Sequence, residues 1–205
     1  MKFYILLLAF LFFYNSCSVK KENGVCKLEI GDTALICTGD IIFRKGHDFL
    51  SNLVLAQKDS AFFSHVGLII KVDSRLLVVH AMPHEPNQKG GVLVEPLDNF
   101  ISCENASASS IYRVKDLCRE DIDIVKDYLL LQIGKPFDSN FQFSNNDRYY
   151  CTELVIKALE QVYADISTTV LSTEVFMMDE KVFLPDDLRK SFLLEKVFDV
   201  NSDLR

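Results

Sequence analysis

The chain contains no tryptophan; sixteen Phe and seven Tyr supply its aromatic surface instead, so phenylalanine is expected to dominate the core. No basic run is longer than Lys20-Lys21, and 22 basic residues face 29 acidic ones for a net charge of −7. A chain without clustered cations is a poor partner for phosphate backbones, which excludes nucleic acid as the expected ligand. None of the six cysteines forms a C-x-x-C pair, which excludes a zinc ribbon and a thioredoxin-type motif. No apolar run reaches the roughly 20 residues of a spanning helix. Internal repeats and low-complexity tracts are also missing. What remains, 205 residues at 49% apolar and 25% charged, is the composition of one globular domain and not of a disordered chain, a collagen-like fibre or a coiled coil.

The N-terminus reads as an address. Met1-Lys2 precedes an uncharged apolar run from Phe3 to Tyr14, the form of a secretory h-region after one positive charge. Asn15-Ser16-Cys17 follows at once and resembles a bacterial lipobox, although Tyr14 stands where that pattern prefers Leu. The alternative is an ordinary signal with an incidental Cys. The expected organisation is a signal peptide over 1–16, lipidated Cys17 and a polar tether over 17–30, and one folded domain over 31–205. The mature protein would be exported and held to a membrane, periplasmic or at the cell surface. Five other cysteines then lie in an oxidising compartment, and the odd count leaves at least one thiol free or paired with another molecule. Cys26, Cys37, Cys103 and Cys118 allow three disulfide connectivities or none.

Patterning along the body predicts α+β architecture. Gly39-Asp40 is a turn signal before a strand at Ile41–Arg44. His47–Lys58 has helical apolar spacing. Phe62–Val72 and Leu76–Ala81 are β-rich and flank Asp73-Ser74, a hairpin. Val92–Val94 and Ile111–Val114 read as further strands, with a polar loop over 102–110. A helix spans Arg119–Ile133, with Gly134 placed for a C-terminal cap. Asn145-Asn146-Asp147 offers caps for a helix over 148–163, with an apolar stripe through Cys151, Leu154, Val155 and Ala158. The tail from Asp165 is mixed, with a break at Pro185-Asp186-Asp187.

Three residues stand out chemically. Cys151 falls in the first turn of a helix, where unpaired N–H groups and the positive dipole end favour a thiolate; a buried structural Cys is the plain alternative. His65 opens an apolar β-run, where a satisfied core His is the commoner occupant. His80 lies on the next strand. With a two-residue turn, 72 faces 75 and 67 faces 80, so His65 and His80 share a face as diagonal neighbours about 7–8 Å apart at Cα. Gly67 is expected to leave open space between them. Cys, His and a second polar group make a nucleophile, a base and an orienter. A zinc site on Cys151 and two His competes, and His80 with His84 has H-x-x-x-H spacing. Pro83 breaks the helix that spacing would need, so neither metal nor cofactor is expected. Asp138, Asp147 and Glu153 are possible acids, each also readable as a cap, turn or solvated residue.

Gly39–Arg44, Phe63–Ile69, Val78–Ala81, Gly134–Asp138 and Tyr150–Val155 occur in an order that resembles the YiiX/YebB-like branch of the NlpC-type cysteine hydrolases, over about residues 38–160. The resemblance implies a circularly permuted papain-like amidase fold, with an antiparallel sheet or small barrel packed against the helix carrying the nucleophile. It implies Cys151 as nucleophile, His65 as base and His80 as third polar residue, where many members have Glu. Tyr150, Ser64 and Asp40, members of the same motifs, are substrate-binding candidates. The function this implies is a thiol hydrolase cleaving an amide bond in cell-envelope peptides or N-acyl amino acids through an acyl-enzyme. The alternatives are a lipid acyltransferase or thioesterase on the same fold, and a non-catalytic envelope-binding lipoprotein.

Overall fold

A computed structural model describes residues 33–85, 89–175 and 178–200. The signal-like run, Cys17 and Cys26 lie outside the described residues, so neither lipidation nor a disulfide to Cys26 has a structural counterpart here. Among the described residues no helix is long and apolar enough to cross a membrane.

The chain order is β1 (Ile41–Lys45), α1 (Phe49–Leu55), β2 (His65–Val72), β3 (Arg75–Met82), β4 (Gly91–Pro96), α2 (Leu97–Phe100), β5 (Ala108–Val114), α3 (Arg119–Gln132), α4 (Cys151–Leu159), α5 (Ile166–Thr169), α6 (Pro185–Arg189) and β6 (Leu194–Val200). Six strands form one antiparallel sheet in the order β4-β3-β2-β1-β5-β6. Its end strands β4 and β6 do not pair, so the sheet is open and the barrel alternative falls away.

The two sheet faces bury different partners. Val66, Leu68 and Ile70 of β2 pack with Leu154, Val155 and Ala158 of α4 in the main core. Ile42, Ile69, Val78 and Ile111 face the other way, against Leu97 and Phe100 of α2. Alternation of side chains along each strand divides them so. Each fully buried aliphatic side chain contributes about 1.5–3 kcal/mol.

The β2–β3 hairpin turns on Asp73-Ser74, both at positive φ (47° and 70°), the geometry that matches strand twist in a two-residue hairpin. Its register, Val72↔Arg75 through Leu68↔Val79, carries Gly67 opposite His80. Gly67, however, does not open space. A methyl there would overlap Val78 and stand 3.1 Å from His80 Cβ, so glycine permits close packing between the strands.

Several boundaries shift from their expected positions. The first helix covers only Phe49–Leu55, because Asp48 caps it by accepting from the Ser51 N–H at 2.7 Å. The 102–110 loop is shorter than expected, since β5 pairs with β1 from Ala108 onward. The helix expected from 148 begins at Cys151 and ends at Leu159. Asn145 caps only a local turn, accepting from the Asp147 N–H at 2.8 Å. Tyr149 stays extended because its N–H donates to Pro136 O (3.1 Å) and its carbonyl accepts from the Asp138 N–H (3.0 Å). The tail also holds three unexpected elements, of which α5 (Ile166–Thr169) is the first. Pro185 starts α6 instead of breaking the chain, since the first helical position needs no N–H. Strand β6 then completes the sheet against β5. Asp186 of α6 accepts from the Phe62 and Phe63 N–H groups, and so fixes the chain just before β2.

Candidate active site

A row of polar side chains crosses four adjacent strands on one sheet face. Arg44 of β1 pairs directly with His65 of β2. His80 of β3 is diagonal to His65, and Val78↔Glu95 pairing makes Glu95 of β4 diagonal to His80. Diagonal residues on one face are within reach of long or aromatic side chains. The contacts follow: His65 Nε2 lies 2.8 Å from His80 Nδ1, and His80 Nε2 lies 3.0 Å from Glu95 Oε1. The contact is close, but His80 Nε2 makes no hydrogen bond of good geometry among the described residues. Arg44 Nη1 stands 3.8 Å from the same oxygen and donates to Phe100 O at 3.1 Å. Phe100 seats the row: its ring lies 5.5 Å from His65, 5.2 Å from His80 and 4.4 Å from the Arg44 guanidinium.

Cys151 arrives from the opposite side. It is the first residue of α4, half-buried at the edge of the main core. The row and the thiol come together at the end of the sheet where His65 begins β2. There Arg44, Ser64, His65, Met82 and Cys151 line one narrow cleft, walled further by Leu50, Val54, Phe137 and Phe141. The Thr152 hydroxyl lies 3.9 Å from the sulfur, and the backbone N–H groups of Val66, Thr152 and Cys151 act on the thiol electrostatically. Among the described residues no hydrogen bond joins it directly to an imidazole.

Electrostatics favour neutral forms at rest. Burial pushes the Cys151 thiol up, against hydrogen bonds from Thr152 and Val66 that lower it. His65 is held well below the usual imidazole value, chiefly by burial and then by the Arg44 and His80 charges. His80 is lowered by burial, with Glu95 pulling the other way. A neutral imidazole is a competent proton acceptor. Its Nε2 is occupied by His80, which leaves Nδ1 as the only ring nitrogen of His65 able to meet a thiol proton. The helix N-terminus contributes unpaired backbone N–H groups beside the sulfur, suited to a developing oxyanion.

The other expected site residues divide. Ser64 lines the cleft, but its Oγ accepts from the Gly46 N–H at 2.9 Å. Tyr150 is 1% exposed, and its hydroxyl accepts from the Phe183 N–H, behind Phe141. Asp40 is not brought to the cleft. It stands at the far end of β1, bound by Arg113 at 2.7 and 2.8 Å and by the Cys37 N–H. Asp138 is buried and accepts from the Asn140 and Gln142 N–H groups in a local turn. Glu153 is buried and accepts from the Tyr150 N–H at 3.2 Å. Sequence reasoning missed Arg44 and Glu95 as members of the row. The available signal was charge at the end of two otherwise apolar strands, Arg44 and Lys45 in β1 and Glu95 in β4. No group of three or more His, Cys, Asp or Glu side chains among the described residues is arranged to hold a metal ion.

Residues 36–202 match the family model described as permuted papain-like amidase enzyme, YaeF/YiiX, C92 family. A crystal structure of the metalloprotein YiiX from Escherichia coli O157:H7 superposes with a TM-score of 0.65 at 22% identity. The match covers 78% of this chain and 96% of that one, a likeness of fold. No curated protein matches the chain.

Proposed function

The chain belongs to the family of permuted papain-like amidases of the YaeF/YiiX type, cysteine hydrolases, and from that membership we propose an amide-bond hydrolase acting on cell-envelope peptides or N-acyl amino acids. Cys151 is the nucleophile, His65 the base and His80 the group that orients it. The observation that carries this reading is the shared cleft: a thiol at a helix N-terminus beside an imidazole whose far nitrogen is already bound.

The thiol proton passes to His65 Nδ1 as sulfur attacks the substrate carbonyl. The tetrahedral oxyanion is met by the Cys151 N–H at the head of α4. Collapse breaks the C–N bond, and His65 returns the proton to the departing amine. Water, deprotonated by His65, then attacks the thioester, releases the carboxylic acid and restores the thiol. The apolar walls Leu50, Val54, Phe137 and Phe141 suit an acyl or hydrophobic side chain next to the sulfur. An acyl group handed to an alcohol or amine in place of water would make the protein a transferase, and product identity separates the two.

We further propose export and membrane attachment through lipidated Cys17, supported by the apolar run and the Cys that follows it. Fatty-acid labelling lost in Cys17→Ala would bear this out. For the reaction, the protein is incubated with an envelope extract and digested for mass spectrometry. An acyl mass on the Cys151 peptide, missing in His65→Ala at unchanged thermal stability, is expected. Equal labelling in that variant would remove His65 from the mechanism.

A further inference from the structure

The row across the sheet continues past the two imidazoles, and its last member has a role of its own. We propose that Glu95 is a positioning residue that fixes His80 as the Nε2–H tautomer and, through it, turns the lone pair of His65 Nδ1 toward the thiol. This rests on the assignment of His65 as base and extends it by one link.

The argument is one of donors and acceptors. An ionised carboxylate only accepts, so Glu95 Oε1, 3.0 Å from His80 Nε2, favours a proton on that nitrogen. A neutral imidazole carries one proton, so His80 Nδ1 is then an acceptor. It lies 2.8 Å from His65 Nε2, which must therefore donate. His65 Nδ1 is left without a proton, the form a base requires. Reversing the first step reverses all the others: a proton on His80 Nδ1 would oblige His65 Nε2 to accept and would place a proton on Nδ1, facing the wrong way.

The position explains why such a link is needed. A carboxylate at position 80 would accept from His65 Nε2–H by itself. An imidazole there is symmetric between two tautomers and needs a neighbour to choose one. Glu95 provides it from the next strand, at the diagonal position that the β3–β4 register creates. The charged or titratable groups facing His80 are His65 from β2, Arg44 from β1 and Glu95 from β4. Of these only Glu95 raises the His80 pKa, while Arg44 lowers it. When His65 becomes imidazolium during the reaction, the Glu95 charge is thus the nearest compensation at the far end of the chain of rings.

The test combines ring-nitrogen NMR with acylation of Cys151 by p-nitrophenyl hexanoate. In the native protein, long-range ¹⁵N–¹H spectra should show His80 protonated at Nε2 and His65 at Nε2. Glu95→Gln, whose amide both donates and accepts, should mix the His80 tautomers. It should also slow acylation of Cys151 by about tenfold or more and move the His80 titration to lower pH. Glu95→Asp should restore a single tautomer and part of the rate. A native His80 protonated at Nδ1 overturns the proposal even if the variants fail to fold. So do Gln-variant spectra and rates equal to the native ones. Absence of acylation in the native protein would strike the hydrolase reading, while the tautomer spectra would still judge Glu95.

Discussion

Strand β1 carries a buried charge near each end, and the two are treated differently. Asp40, 1% exposed, is closed off: Arg113 grips both carboxylate oxygens and the Cys37 N–H adds a third bond. Arg44, 3% exposed, is left open. Among the described residues its Nε has no hydrogen-bond partner, Nη1 donates to the Phe100 carbonyl, Nη2 meets the Met82 sulfur at 3.9 Å, and the nearest carboxylate oxygen is 3.8 Å away. Buried charge without full compensation is costly. At the Asp40 end the cost is offset locally and the result is a fold-stabilising pair. At the Arg44 end the incomplete pairing coincides with the cleft, the two imidazoles and the thiol. A satisfied buried ion pair holds a structure together, and an unsatisfied one in a cleft sets the protonation states of its neighbours.

Substitutions at the two ends should therefore separate. The largest effect belongs to the cleft: His65→Ala should lower turnover by about 10²–10⁴ with little change in melting temperature, whereas Asp40→Asn should leave the rate intact. Steady-state assays beside thermal melts read both. Next in size is Arg113→Ala, which strands Asp40 and should cost about 2–3 kcal/mol in urea unfolding, reduced from a fully buried case because Arg113 is partly exposed. Arg44→Met should act in the other currency. Arg44 holds both imidazoles low, so its removal should raise the acid limb of the rate profile toward higher pH. In the native protein that limb should lie below pH 6.5, the ordinary imidazole value from which His65 is depressed. A native limb above 6.5 would contradict the account.

Smaller effects sharpen the same contrast. Gly67→Ala forces a methyl against Val78 and His80, and should cost about 1–3 kcal/mol while also slowing acylation of Cys151. Glu153 supplies the mildest test. Burial lifts its carboxyl from 4.5 to about 8, so the folded state holds its proton where the unfolded chain has lost it. Stability then falls as pH rises between those values. The urea midpoint of the native protein should drop from pH 6.5 to 8, and Glu153→Gln should flatten that slope.

The hairpin was legible because its information is local. Asp73-Ser74 fixes a two-residue turn, period two fixes the faces, and the His65–His80 contact follows from counting. The position of Cys151 at a helix head was legible from the stripe that follows it, although the helix starts three residues later than its Asn-Asn-Asp caps suggest. Tertiary pairing of Tyr149 with Pro136 and Asp138 decided that start, and no local pattern encodes it. Glu95 escaped for a similar reason: Val92–Val94 read as a strand, but its alignment to β3 depends on the long connection after Met82. Strand β6 was hidden by charge, since Glu195, Lys196 and Asp199 sit in its sequence beside Leu194 and Val200, the two residues it buries. Asp40 misled because a motif acid and a structural acid look alike until Arg113, 73 residues away, is seen to hold it.

The central claim is that Cys151 and His65 work as a pair. The most direct measurement is peptide mass spectrometry after exposure to p-nitrophenyl hexanoate near neutral pH, with the exposed thiols Cys37 and Cys118 as internal references. The account predicts a hexanoyl group on Cys151 well ahead of both references, reduced to their level or below by His65→Ala. Acylation of Cys151 no faster than the exposed thiols, or unchanged in the variant, would contradict it.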